Sequence, residues 1–145
     1  MNMKKLIVFL GILFFATAAN AQNECADAFG TLAPIQFSPQ SNRLNDKAKE
    51  ILAAVADKLR KNPSCTLVVT GYCDDSDEAK QLSWDHVNAI INYYFINKEG
   101  LARERFIFKY AEKGGDCNQA GLRVAAPGET GPSRVAAPFP DLRLN

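Results

Sequence analysis

The 145-residue chain is poor in several things. It has one histidine, one tryptophan, no two cysteines spaced as CxxC, and no excess of charge of either sign. Each shortage excludes something. Without a CxxC pair there is no case for a zinc ribbon or a thioredoxin-type redox centre. A formal net charge of +1 supplies no basic field for nucleic acid and no acidic solvating tail. The acidic cluster Asp74, Asp75, Asp77 and Glu78 lacks the spacing of a calcium loop and reads as a solvated turn. Nothing in the chain asks for a metal or a cofactor. The longest apolar run, Leu6 to Phe15, is shorter than the ~20 residues a membrane-spanning helix needs.

What is present is ordinary globular composition, 47% hydrophobic and 23% charged, in a length that suits one domain. Residues 1–21 read as a secretory signal: basic Lys4 and Lys5, the apolar run, then small Ala19 and Ala21 before a cleavage point at Gln22. Asn23 and Glu24 precede Cys25, where a lipoprotein signal needs small or apolar residues. The expectation is therefore an exported periplasmic protein without a lipid anchor, with outer-membrane association as a further expectation. Residues 22–126 form the expected domain, and residues 127–145 a Pro/Gly-rich tail.

Within the domain the hydrophobic periods change from element to element. Residues 22–34 show no clear period. Pro34 to Phe37 reads as a short strand. From Asn45 to Lys61, Leu44, Ala48, Ile51, Leu52, Val55, Ala56 and Leu59 recur at three-to-four spacing, with Asn45 as cap and Asn62-Pro63 as stop. Thr66 to Tyr72 is apolar and β-branched, a central strand buried on both faces. Glu78 to Asn97 is a second helix with Val87, Ile90, Ile91 and Tyr94 inward and Trp84 outside the stripe. Arg105 to Tyr110 and Leu122 to Ala125 complete the strands. The order β-α-β-α-β-β predicts an α/β fold, a mixed, mostly parallel sheet with two helices packed on it. The last strand, after a short connection, is open to antiparallel pairing. Arg-Val-Ala-Ala-Pro occurs twice, at Arg123–Pro127 and Arg134–Pro138. The tail that follows Ala126 is expected to be extended, with Phe139 as the residue that would lay it on the domain.

Four cysteines in an exported chain favour disulfides. Cys73 and Cys117 follow the second and third strands, and Cys25 and Cys65 precede the first and second. This arrangement predicts Cys73–Cys117 and Cys25–Cys65. A straight strand keeps Cys65 from reaching Cys73.

Gly71-Tyr72-Cys73-Asp74, followed by Leu82-Ser83-Trp84-Asp85-His86, resembles the Gly-Tyr-x-Asp and Leu-Ser-x-x-Arg half-motifs of the OmpA-like C-terminal domain family. Ile35-Gln36-Phe37 and the helix ending at Asn62-Pro63 are similar too, so the resemblance covers about Pro34 to Ala125. It implies non-covalent binding of the peptidoglycan peptide stem through diaminopimelate. An Asp takes the ammonium and an Arg forks onto the carboxylate. Carried onto this chain, the acid is Asp74 and the Arg position holds His86. The family's Asn-Arg-Arg-Val resembles Gly121-Leu122-Arg123-Val124, which adds Arg123. Asp75 to Gln81 lacks the family's Gly and Asn, with Ala79 at the Asn position.

An imidazole offers one donor where a guanidinium offers five and a fixed charge, so His86 implies weakened binding. The alternative is a degenerate scaffold of the same fold that contacts an envelope protein partner and has lost peptidoglycan. Each site residue also has a plain reading. Asp74 serves as a loop-capping carboxylate, His86 as a residue at the margin of the apolar stripe, and Arg123 as a solvated strand residue. An enzymatic reading would pair Cys73 with His86 as nucleophile and base; it needs a free thiol, and the expectation is that the chain is not an enzyme.

Overall fold

The computed structural model describes residues 24–142; the expected signal segment, 1–21, lies outside them. The lead-in does have structure: residues 24–29 are helical and bury Cys25 and Phe29. The segment is under two turns long, too brief to show a period, and it is held by partners elsewhere. The Cys25–Cys65 disulfide, with Cα atoms 5.6 Å apart, and Lys58 Nζ donating to Phe29 O at 3.1 Å fasten it.

Helix α1 spans Asp46–Lys61. Asn45 Oδ1 accepts from Ala48 N–H at 2.8 Å, and Asp46 sits at the positive end of the helix while Lys58, Arg60 and Lys61 sit at the other. Ala48, Leu52, Val55, Ala56 and Leu59 form its buried stripe. Arg105 closes the far end: Nη2 donates to Leu59 O and Asn62 O at 2.8 and 2.9 Å, and Nε donates to Cys65 O at 2.9 Å. The Leu59 and Asn62 carbonyls are among those that a helix terminus leaves open.

Four strands, β1 (Ile35–Gln36), β2 (Leu67–Tyr72), β3 (Phe106–Glu112) and β4 (Gln119–Val124), make one mixed sheet in the order β1-β4-β2-β3. β2 and β3 pair parallel, while β4 pairs antiparallel with both β1 and β2. Thus β1, β2 and β3 run the same way, but only one hydrogen-bonded pairing is parallel. β4 is inserted between β1 and β2 instead of lying beside β3.

The short β3–β4 loop must therefore cross the carboxyl end of β2. Gly115 makes the crossing feasible, because a Cβ there would clash with the Tyr72 ring. The Cys73–Cys117 disulfide, with Cα atoms 5.3 Å apart, pins the loop. Both disulfides join the expected partners.

The second helix, α2, is α-helical over Asp77–Asn88 and continues with wider i→i+5 turns over Ala89–Lys98. Ser76 Oγ caps it by accepting from Ala79 N–H at 3.0 Å. The continuation puts Ile90, Ile91, Tyr94 and Phe95 in the core, and Phe95 lies on Phe106 with ring centroids 5.0 Å apart. α2 crosses β2 closely at Gly71. Leu67, Val69, Phe106 and Phe108 face the helices, and Val68 and Ile107 are buried on the other side.

The segment after residue 126 packs on the domain. Phe108 N–H at the free edge of β3 donates to Pro132 O (2.8 Å), Trp84 Nε1–H to Val135 O (2.8 Å), and Phe139 N–H to Gln81 Oε1 (2.8 Å). Under this cover Trp84 is only 7% exposed and touches Phe108. The expectation that Trp84 lies outside the core stripe is corrected accordingly: its partners come from the tail, more than forty residues away. The tail also blunts the sheet edge, which would otherwise offer open N–H and C=O groups to another strand.

Candidate functional site

Ligand sites in open α/β sheets gather beyond the carboxyl ends of parallel strands. Here that place is the end of β2, where Asp74 begins the turn into α2. Cys73 has a positive φ of 77° and the β2–β3 register shifts between Thr70 and Tyr72, so the strand bends as it delivers Asp74. Asp74 is half-buried, and Asp75, Asp77 and Glu78 beside it are exposed. Among the described residues no group of three or more His, Cys, Asp or Glu side chains is placed to hold a metal ion.

His86 lies on α2 and is fully enclosed, with no exposed surface. This replaces the expected position at the margin of the apolar stripe. Its ring stacks on Phe37, centroids 3.9 Å apart and planes 8° from parallel. Nε2 is 2.7 Å from Ser41 O. A carbonyl can only accept, so Nε2–H donates and the tautomer is set. Nδ1 is buried and has no partner among the described residues. Burial pushes the imidazole down to about 4, against a smaller opposing pull from the Ser41 carbonyl. At neutral pH the ring carries no charge, and its one N–H is already engaged.

Arg123 lies on β4, where it pairs in register with Val68. That register sets it near the amino end of β2, while Asp74 lies beyond the carboxyl end. The four residue steps from Val68 to Tyr72 already span about 13 Å. Its guanidinium forks onto Glu129, Nη1 to Oε1 at 2.6 Å and Nη2 to Oε2 at 2.8 Å. This fork, with the Ala126 N–H adding to it, holds the Glu129 carboxyl down to about 2. The fold therefore does not bring Arg123 to Asp74. Cys73 is in a disulfide and is no nucleophile.

Around α2 the enclosed polar side chains are Gln81, Ser83, Asp85 and His86. Ser83 Oγ accepts from Ala111 N–H at 2.8 Å, and Gln81 Nε2 donates to Asp85 Oδ1 at 3.0 Å. Two clefts flank the helix. One, of about 750 Å³, opens between α2 and the β1–α1 loop, with Ser41, Arg43, Asp85 and Tyr93 in its walls. The other, of about 390 Å³, lies between α2 and the tail, with Trp84, Asn88, Asn92, Arg103 and Arg134 in its walls. Neither is lined by Asp74, His86 or Arg123. Sequence reasoning passed over the second cleft. Its signal was there in Trp84, Asn88 and Asn92, spaced every four residues along one helix face.

The model of the OmpA family matches residues 36–126, more than half of the chain. The chain belongs to the OmpA family. Two solved structures agree on the fold. A MotB-like protein from Desulfovibrio vulgaris is 14% identical with a TM-score of 0.54, over 83% of this chain and 98% of that one. The C-terminal domain of Helicobacter pylori MotB is 12% identical with a TM-score of 0.52, over 67% of this chain and 87% of that one. The chain is also similar to the OmpA-like domain of FopA1 from Francisella tularensis, at 18% identity and a TM-score of 0.49 over 63% of this chain and 70% of that one. No curated protein matches the chain.

OmpA-family domains are in general peptidoglycan-associating modules of envelope proteins, binding or structural in kind. Among the described residues no helix is long and apolar enough to cross a membrane.

Proposed function

We propose that this chain is an exported envelope module in which one half of the diaminopimelate clamp is kept and the other is dismantled. Residues 1–21 act as its export signal. Asp74, at the end of β2, is the half that is kept: a carboxylate able to meet an ammonium. At position 86, where the family's guanidinium would fork onto a carboxylate, stands a neutral ring enclosed between Phe37 and Ser41. That one observation carries the reading. A ring with its only N–H donated to a backbone carbonyl has neither charge nor hydrogen for a ligand. With half of the clamp gone, the module works as a scaffold that contacts an envelope protein, and its hold on the peptidoglycan stem at neutral pH is slight or nil.

A second reading is favoured by Asp74 itself. In it the acid and the surrounding loop still hold the stem by its ammonium, which gives weak peptidoglycan binding without a cation. Co-sedimentation with purified sacculi separates the two. The scaffold reading expects the disulfide-bonded protein at pH 7.5 to pellet no more than a non-binding control, with Asp74→Ala making no difference. Retention well above control that is lost on Asp74→Ala would establish the second reading instead.

A further inference from the structure

The cleft between α2 and the tail, away from Asp74 and His86, has features of a built ligand site. Its volume of about 390 Å³ is that of a pocket for a small molecule. Arg103 and Arg134 line it together with Asn88, Asn92, Asn97 and Trp84, and none of the described residues in its walls is acidic. The ion pairs formed among the described residues engage Arg60, Arg123, Lys47 and Lys109, and neither arginine of the cleft. Arg103 Nη1 is enclosed and has no acceptor among the described residues. An enclosed guanidinium N–H without an acceptor is unfavourable, and the usual acceptor for such a fork is a carboxylate or phosphate. Arg105, two residues on, is by contrast fully used on backbone carbonyls.

The walls are held in place before any ligand arrives. Asn92 Nδ2 donates to Asn88 Oδ1 at 2.7 Å, which fixes the two amides relative to one another. The tail wall is fastened on both sides of residues 136–138 by the Trp84–Val135 and Phe139–Gln81 hydrogen bonds. Amide groups that both donate and accept suit hydroxyls, and the two guanidinium groups suit an oxyanion. We propose that this cleft binds a small hydroxylated anion, a sugar acid or a sugar phosphate.

The sole tryptophan of the chain lines the cleft, so its fluorescence reports occupancy. The full disulfide-bonded chain is titrated with glucuronate, with glucose 6-phosphate and with neutral glucose, at matched ionic strength. The expected result is a saturable change with one or both anions, which tells the two sources apart, and none with glucose. Arg134→Gln, at an exposed position on the tail that the fold does not depend on, is expected to weaken binding at least tenfold, and Arg103→Gln at least as much. No saturable change beyond that of sodium chloride, or Arg134→Gln binding as tightly as wild type, would overturn the proposal.

Discussion

At position 86 an aromatic ring from β1's end and a carbonyl from the following loop meet a helix residue. The folded protein resists protonation there, because the charged imidazolium would have to sit in a site without water. The direction of the resulting pH dependence follows from the lowered value. The unfolded chain takes up the proton near 6.5 and the folded chain near 4. His86 therefore adds full stability above pH 6.5. That contribution is lost as pH falls from 6.5 toward 4, and the loss ends where the folded form also protonates. Between pH 7.5 and pH 5 the loss is about 2 kcal/mol.

His86→Phe keeps the stack and removes both the titration and the bond to Ser41. Urea unfolding at the two pH values is expected to show the wild type losing about 2 kcal/mol more than the variant. An NMR titration of the single histidine should give a midpoint near 4. A midpoint near 6.5 would mean that the ring is open to water, and the argument for a dismantled clamp would go with it. Helical spacing alone put His86 beside the apolar stripe, and it could say no more. What encloses the ring comes from Phe37 and Ser41, which spacing along α2 does not register.

Among the elements, legibility followed the range of the interactions. α1 was readable almost residue by residue, because its cap, stripe and basic end are local. β2 was readable as a strand buried on both faces because its apolar run is unbroken. The insertion of β4 was not readable. Which strand lies beside which is decided by distant pairings, here Val69 opposite Leu122 and Gly71 opposite Ala120. The polar side chains enclosed along α2 were opaque for the same reason, since Ser83 meets β3, Gln81 meets the tail and His86 meets Phe37 and Ser41 after β1.

α2 and β2 approach each other closely at Gly71. A Cβ on that residue would lie 2.5 Å from Ser83 Oγ and 2.6 Å from Ser83 O. The second of these is backbone and cannot rotate away. Gly71→Ala must push α2 off β2, and it strains the Ser83–Ala111 bond that ties the same helix to β3. A loss of about 1–3 kcal/mol is expected from overpacking, measured by chemical denaturation. Ser83→Ala leaves the Ala111 N–H without its acceptor and is expected to lose about 1 kcal/mol. If Gly71→Ala were as stable as wild type, the close crossing of α2 over β2 would be incorrect.

At the scale of the molecule, three fastenings close the chain around β2. The first disulfide ties the amino-terminal turn to the start of the strand, and the second ties the crossing loop to its end. The tail covers the edge of β3 and the outer side of α2. The disulfides close loops of 40 and 44 residues. In a chain-entropy view each such loop contributes about 4 kcal/mol by restricting the unfolded state.

The two bonds differ in access. Cys25 and Cys65 are both buried, whereas Cys73 is half-buried and Cys117 is exposed. Thiol exchange requires the attacking thiolate to reach a sulfur, so the order of reduction should follow exposure. Mild dithiothreitol under native conditions, followed by alkylation and peptide mapping, is expected to label Cys73 and Cys117 first. Cys25 and Cys65 should become reactive only as the domain unfolds. The partly reduced form should still fold while unfolding at lower urea, because the loop over the end of β2 is then held without a covalent tie, by Gly115 against Tyr72 and by Phe37 N–H donating to Asn118 O. Labelling of Cys25 and Cys65 first would show that the amino-terminal turn opens in the native state, and that its burial against α1 is weaker than these contacts require.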